Sequence, residues 1–304
     1  MFDDGYVSQV RLLLRCIPEI EKHECFALKG GSAINLFLRD MPRLSVDIDL
    51  TFLPLSPRNE ALEKISESLR SLGQEISSRI PNVSVQQQCR DDKVVKLIVS
   101  DRSAVIKVEP NPVMRGSVYP TSKRVVLPSV EDTFGMFVSM NTLDTEELYA
   151  GKLCAALDRQ HPRDFFDIKL LLEDEGKISA RLSSAFAIYL ASHRRPMHEL
   201  LNPGFNDISD SYEKNFRGMS RVGVSLAELQ EVQHKLPGLV VKSLSDNDKK
   251  FLVSVKTAEP DWGLLPLSHI QGLPALKWKL INIRKMPGDK HRQSLAALRK
   301  VLGM

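Results

Sequence analysis

The chain has 304 residues, long enough for one large domain or two ordinary ones. Hydrophobic residues make up 42% and charged residues 26%, the proportions of a globular protein, which excludes wholesale disorder. Forty-two Lys and Arg against 38 Asp and Glu leave a net charge of +4, too mild to name a partner by itself.

No uninterrupted apolar run approaches the roughly 18 residues that a membrane span needs, and the opening "MFDDGYVSQV" is acidic with no signal-like apolar core. The four cysteines (Cys16, Cys25, Cys89, Cys154) form no C-x-x-C pair and no cluster with histidine. Three sit in apolar surroundings and read as buried free thiols, so a reducing, cytoplasmic location with no membrane contact is expected. The seven histidines show no ligand spacing, and His23 reads as a surface residue.

In chain order, "VSQVRLLLRCIPEIEKH" has apolar residues at three- and four-residue intervals and reads as one or two helices. "CFALKG" is a short strand ending in glycine, "SAINLFLRD" a helix, and "MPR" its break. "SVDIDLTFL" alternates: Val46, Ile48 and Leu50 point one way, Asp47, Asp49 and Thr51 the other, as in a half-buried strand. "RNEALEKISESLRSLGQEI" is an amphipathic helix, followed by strands over 94–100 and 104–111. The chain crosses near "VLPSVEDTF" into a mostly helical part that includes "TEELYAGKLCAALDRQ", "PRDFFDIKLLLED", "SARLSSAFAIYLASH", "SLAELQEVQHKL" and "LSDNDKKFLVSVK", the last capped by Ser245 or Asp246. Residues 1–127 are thus expected to form an α/β domain and 128–304 a helical domain. Eight Lys or Arg against the single Asp289 in residues 273–304 make either a solvated basic helix face or a surface for a polyanion.

The chemistry concentrates in "KGGSAINLFLRDMPRLSVDIDLT". Gly30 and Gly31 permit close backbone approach, and Ser32 stands at a helix N-terminus, where free N–H groups and the dipole attract phosphate. Taken alone, that fragment is better read as a plain turn with a helix cap. Asp47 and Asp49 on one strand face repel each other unless a cation intervenes, and Mg²⁺ takes such hard oxygen ligands. A solvent-facing acid pair is the alternative.

Gly31-Ser32, fourteen intervening residues, then Asp47-Ile48-Asp49 resembles the G-S…D-x-D signature of polymerase-β-like nucleotidyltransferases. More narrowly, the segment is similar to the AbiEii-type toxins, a group that includes the MenT toxins of bacterial toxin–antitoxin systems. "VIKVEPN" resembles the family's central strand, where Glu109 would supply a third metal carboxylate; a Lys107–Glu109 pair at a strand edge is the competing reading. "GKLCAALDRQHPRDFFDIKLL" resembles the later active-site segment, with Lys152 and Asp167 at positions that are active-site residues in the family. Lys152 and Arg159 fall on one helix side and suit a triphosphate clamp, while Arg163 and Asp164 read as pairing across the helical corner. A charged helical hairpin is the bland alternative. "FLVSVKTAEPDWGLLPLSHIQGLPALKWKLINIRKM" resembles the family's ending. Val46 stands where many relatives carry an acid beside the first aspartate, and no ligand is lost by it.

The resemblance implies a polymerase-β-like α/β (α+β) domain with a mixed sheet, followed by a helical domain. It implies a Mg²⁺-dependent enzyme moving NMP from an NTP to RNA, in particular the tRNA 3′ end, with Gly31, Ser32, Lys152 and Arg159 binding nucleotide. Asp47, Asp49 and Glu109 would hold metal, with Lys152 and Asp167 completing the catalytic set. It also implies an AbiEi-like winged-helix antitoxin as partner. Transfer to a protein or small-molecule hydroxyl, kinase-like phosphotransfer and a catalytically silent NTP-binding regulator are the competing functions.

Overall fold

The computed structural model describes residues 2–304, which form two compact units. The first is Met1–Leu148 with Gly218–Gly223, and the second is Tyr149–Arg217 with Val224–Met304. In chain order the first unit contains α1 (Asp4–Glu21), β1 (Phe26–Lys29), α2 (Gly30–Phe37), β2 (Ile48–Phe52), α3 (Arg58–Arg79), β3 (Ser84–Arg90), β4 (Lys93–Ser100) and β5 (Val105–Pro110). It continues through β6 (Ser122–Val125), α4 (Pro128–Phe134) and β7 (Ser139–Thr142) to the first residues of α5 (Thr145–Arg159).

Its seven strands make one sheet in the order β3-β4-β5-β2-β1-β7-β6. β2 runs parallel to β5 and β1 parallel to β7, and the other neighbours are antiparallel. The alternation seen in the sequence holds as far as Leu50: Val46, Ile48 and Leu50 are buried and Asp47 and Asp49 keep partial exposure, whereas Thr51, expected on the open face with them, is buried. Phe26 and Phe52, register partners on β1 and β2, stack edge-on at 6.0 Å in the core beneath them. Truncating Leu50, which is fully buried, leaves a cavity of the kind that costs about 2–5 kcal/mol.

Several boundaries differ from the sequence reading. α1 is one continuous helix with Pro18 inside it. α2 begins at Gly30, two residues earlier than its apolar pattern, because Gly30 itself adopts φ +74 and turns the chain directly from β1 into the helix. Asp47 lies just before β2, outside the ladder. β5 is flanked by β4 and β2, so Lys107 and Glu109 occupy an interior strand and not a sheet edge. The expected junction at 127/128 falls inside the first unit, because β7 pairs with both β1 and β6 and keeps residues up to Leu148 with the sheet. Two of the four thiols, Cys16 and Cys154, are buried, whereas Cys25 is intermediate and Cys89 lies exposed on the edge strand β3. His23 is only partly exposed, 3.4 Å from Glu75.

The second unit contains the rest of α5, then α6 (Pro162–Glu175), α7 (Ala180–Ser192), α8 (Met197–Leu201), α9 (Ser209–Asn215), α10 (Leu226–Ser243), α11 (Asp246–Lys256), α12 (Pro274–Arg284) and α13 (Gly288–Leu302). Its helix ends follow sequence chemistry closely. α6 starts at Pro162 after His161, whose Nδ1 accepts from the Arg163 N–H, and stops at Gly176 in the left-handed region. α11 starts with a capping box in which Ser245 and Asp248 satisfy each other's backbone N–H groups. Among the described residues no helix is long and apolar enough to cross a membrane.

Candidate active site

The glycine turn and the acids of "KGGS…DID" meet in the first unit. Lys29 and Asp49 are register partners on β1 and β2, and Asp49 and Glu109 are register partners on β2 and β5. One row across the sheet therefore reads Lys29, Asp49, Glu109, and Lys96 extends it with an ion pair to Glu109 at 2.6 Å. The carboxylates on β2 and β5 sit side by side because partners in adjacent strands project from the same face.

Gly30 makes this possible. A Cβ on Gly30 would lie 2.7 Å from Asp49 Oδ2, so only glycine lets that carboxylate rest against the start of α2. Its φ of +74 independently favours glycine. A Cβ on Gly31 would meet Ser45 Oγ at 2.7 Å and Arg43 Nη2 at 2.8 Å, so the second glycine seats the loop that carries the first aspartate. Ser32 is buried, with its Oγ 2.5 Å from the Asp47 carbonyl oxygen and 3.1 Å from Ser45 Oγ. Its hydroxyl thus ties the head of α2 to the approach to β2.

Two residues here were absent from the sequence reading. Lys29 is largely buried; burial pulls its ammonium below the ordinary lysine value, against the attraction of Asp49, Glu147 and Glu109. Its place directly before the glycines was a usable signal, since a strand-end residue next to the turn must share the acids' neighbourhood. Arg43 is 1% exposed and donates to the Leu44 carbonyl at 2.8 Å. Nothing in "DMPRLS" distinguishes it from a solvent-facing loop arginine.

Lys152, Arg159 and Asp167 belong to the second unit, where α5 and α6 bring them together. Lys152 Nζ lies 2.9 Å from Asp164 Oδ1 and 3.0 Å from Asp167 Oδ2, and both carboxylates are fully buried. Arg159 grips Asp164 bidentately, Nε to Oδ2 at 2.6 Å and Nη2 to Oδ1 at 2.9 Å, while 56% of its side chain stays exposed. Burial would raise the Asp164 carboxyl, but Lys152 and Arg159 overcome it and hold it well below the usual carboxylate range. The corner is fixed by Gln160, at φ +51, which donates to the Gly204 carbonyl and accepts from Gln233 and the Asn206 N–H. Asp164 pairs across the helical corner as its spacing predicted. The expectation for Lys152 and Arg159 gains a detail: each is anchored on an acid of α6.

Among the described residues no three His, Cys, Asp or Glu side chains converge as a ready cage for a metal ion. The donor set still suits Mg²⁺, which is usually held by one or two carboxylates with substrate phosphates and water supplying the rest. Asp49 and Glu109 are such neighbours, with Asp47 two residues before Asp49, and the Cβ-free Gly30 beside Asp49 leaves its carboxylate room at a helix N-terminus.

The mixed sheet, with a glycine turn into a helix and acids on the adjacent strand, defines a nucleotidyltransferase fold. The family model described as "Nucleotidyl transferase AbiEii toxin, Type IV TA system" matches residues 11–265, and the chain belongs to that family. Among solved structures it is similar to MenT4, a nucleotidyltransferase toxin from Mycobacterium tuberculosis H37Rv, with a TM-score of 0.61 and 14% identity over 92% of this chain and 93% of that one. At that identity the likeness is one of fold. No curated protein matches the sequence significantly.

Proposed function

We propose that this toxin-family nucleotidyltransferase transfers a nucleoside monophosphate from an NTP to an RNA acceptor, the 3′ end of tRNA, and so blocks translation in the cytoplasm. The observation that carries the reading is the register pair Asp49–Glu109 with Gly30 cut away to admit the Asp49 carboxylate. Asp47, Asp49 and Glu109 would hold Mg²⁺, which would offset the charge building on the phosphate oxygens and make the acceptor hydroxyl more acidic.

In the reaction the acceptor hydroxyl, giving up its proton to solvent, attacks the α-phosphorus of the NTP; a new P–O bond forms, and the bond to the departing pyrophosphate breaks. The backbone N–H groups at Gly31 and Ser32 face phosphate at the positive end of α2, and the Ser32 hydroxyl keeps the Asp47 loop in register with them. Lys152 and Arg159 neutralise triphosphate charge. Asp164 and Asp167 fix the Lys152 ammonium in one position, so its placement costs no rearrangement during the reaction. The exposed Lys and Arg of α12 and α13 suit contacts to RNA phosphates. The partner that silences the enzyme is a cognate AbiEi-like, winged-helix antitoxin.

The test supplies each labelled NTP with Mg²⁺, with and without total tRNA, to the purified protein beside Asp47→Ala and Asp49→Ala. Label on tRNA 3′ ends that requires both aspartates is the expected result. Label on the protein itself, or none until another hydroxyl compound is added, removes tRNA as the acceptor.

A further inference from the structure

Within the second unit, α7, α8, α11, α12 and α13 bring cationic side chains together where the sequence suggested only a basic face. Lys279, counted among the basic C-terminal residues, is not on the surface: it is 9% exposed, and its Nζ donates to the carbonyls of His193 at 2.5 Å and Arg195 at 2.8 Å. Lys256, on the last turn of α11, is 4% exposed. Among the described residues the one acceptor within reach of its Nζ is the Met286 sulfur, at 3.6 Å. The two ammoniums repel each other, and His198 feels both. Lys290 adds to the field at Lys256, and Arg194 and Arg195 add to it at the α7 end.

The opposing charge is small. Asp158 lies 3.0 Å from Arg195 and 3.5 Å from His193, and Glu199 lies 3.6 Å from Arg195. A thioether is a weak acceptor, so it compensates little of what an ammonium loses on leaving water. A second buried polar group points the same way. Ser192, next to the His193 that holds Lys279, is 6% exposed, and its hydroxyl has no hydrogen-bond partner among the described residues. Buried polar groups left without partners are uncommon and ask for a missing one.

We propose that Lys256, Lys279, His198 and Ser192 form a seat for a phosphate group, supplied either by a nucleic-acid backbone or as free phosphate. Lys256 gives a full charge with two N–H donors beyond the one on the Met286 sulfur, Lys279 one remaining N–H, and Ser192 a hydroxyl, a set that matches a tetrahedral oxyanion better than a planar carboxylate. Burial lowers both ammoniums from their ordinary values, Lys279 to about 8, so a bound anion relieves a cost present without it. The seat is independent of the transfer reaction, and its ligand is read by binding alone.

The experiment titrates inorganic phosphate into the full chain at constant ionic strength, with chloride as the matched control, followed by ³¹P NMR and calorimetry. Variants are Lys256→Met, Lys256→Arg and, as a surface control, Lys235→Met on α10, whose partner is Glu231. The wild type and Lys235→Met bind phosphate saturably. Lys256→Met weakens binding by about tenfold or more, and Lys256→Arg, which keeps the charge, stays within about threefold of wild type. Equal affinity in Lys256→Met and wild type overturns the seat, as does loss in both Lys256 variants or a phosphate response no greater than that to chloride. Single-stranded RNA displaced by phosphate, and weakened by Lys256→Met, identifies a backbone phosphate as the ligand. RNA binding indifferent to both, with phosphate binding intact, identifies free phosphate.

Discussion

The two charged centres of this protein are built on opposite plans. In the second unit Lys152, Arg159, Asp164 and Asp167 form a closed set, two cations on two anions, with both carboxylates fully buried. In the first unit Asp49 and Glu109 stand side by side with Lys29 and Lys96 at the ends of their row, Asp47 nearby and part of each acid open to solvent. A closed set is satisfied without a ligand, and its acids hold Lys152 and Arg159 in place before any nucleotide arrives. Adjacent carboxylates are a strained arrangement that a divalent cation relieves. The contrast separates residues whose loss unfolds the protein from residues whose loss disarms it.

Asp164→Asn gives the largest expected effect. It removes the charge that two cations share and leaves Lys152 with Asp167 alone, for a loss of about 3–5 kcal/mol in urea unfolding. Asp49→Asn, which reduces repulsion, is expected to shift stability by less than about 1 kcal/mol while abolishing transfer. Similar losses for the two would erase the distinction. The pH dependence carries a matching sign. The folded state holds Asp164 well below the ordinary carboxylate value, so near that value the unfolded chain binds more protons. Its contribution is therefore complete above the ordinary carboxylate value of about 4 and is lost as pH falls further. Asp164→Asn should flatten the acid limb.

The second unit breaks its own pattern at Lys279, and this gives the next effect in size. Burial lowers that ammonium to about 8, so between there and the ordinary lysine value the unfolded chain keeps a proton that the folded chain has released. Stability should rise with pH across that window, by on the order of 2–3 kcal/mol. Denaturation in phosphate-free buffer checks this, and Lys279→Met should remove the rise. A curve that falls over the window would place Lys279 with the satisfied cations. Gly30→Ala comes third. It imposes a left-handed conformation on alanine and drives Cβ against Asp49 Oδ2, costing about 1–3 kcal/mol and displacing that carboxylate. Transfer activity should fall by much more than Ser45→Ala, which removes only a hydroxyl partner of Ser32, lowers it.

What the sequence made legible follows the same division. The alternation of Val46, Ile48 and Leu50 placed Asp47 and Asp49 on one face, because a strand with one buried face leaves a period-two trace. Capping chemistry located the start of α6 to the residue and that of α11 to within one, between Ser245 and Asp246. The edge strand β3 stayed hidden, since "SVQQQCR" is exposed almost throughout and leaves no such trace. β6 and β7 are four residues each, too short for a period to register. Arg43 illustrates a further limit: its burial depends on Gly31 and on the Gly218–Gly223 segment, which returns to the first unit and bonds Ser220 beside Arg43 from far along the chain. Lys279 looks like any other member of the basic tail, and Lys256 like any lysine at a helix end, until the helices around them are in place. The domain junction was displaced for a related reason, because β7 shows its allegiance only through its partners.

The smallest expected effect in stability bears most directly on the acidic row. Lys96 pairs with Glu109 at 2.6 Å on a partly exposed strand, so Lys96→Met should change unfolding free energy by no more than about 1 kcal/mol. Its electrostatic consequence is larger than its structural one. Without Lys96 the Glu109 carboxylate keeps Asp49 as its register neighbour on one side and loses its ion pair on the other, and the row becomes more negative by one charge. Mn²⁺ binding to the protein alone, read by electron paramagnetic resonance, should tighten severalfold, whereas Arg79→Met, which breaks an ion pair to Glu19 elsewhere in the same unit, should leave it unchanged. If Lys96→Met leaves Mn²⁺ affinity where it was, Glu109 does not share the cation with Asp49. The pair on β2 and β5 would then be a structural neighbour relation, leaving Asp47 and Asp49 to hold the metal without it.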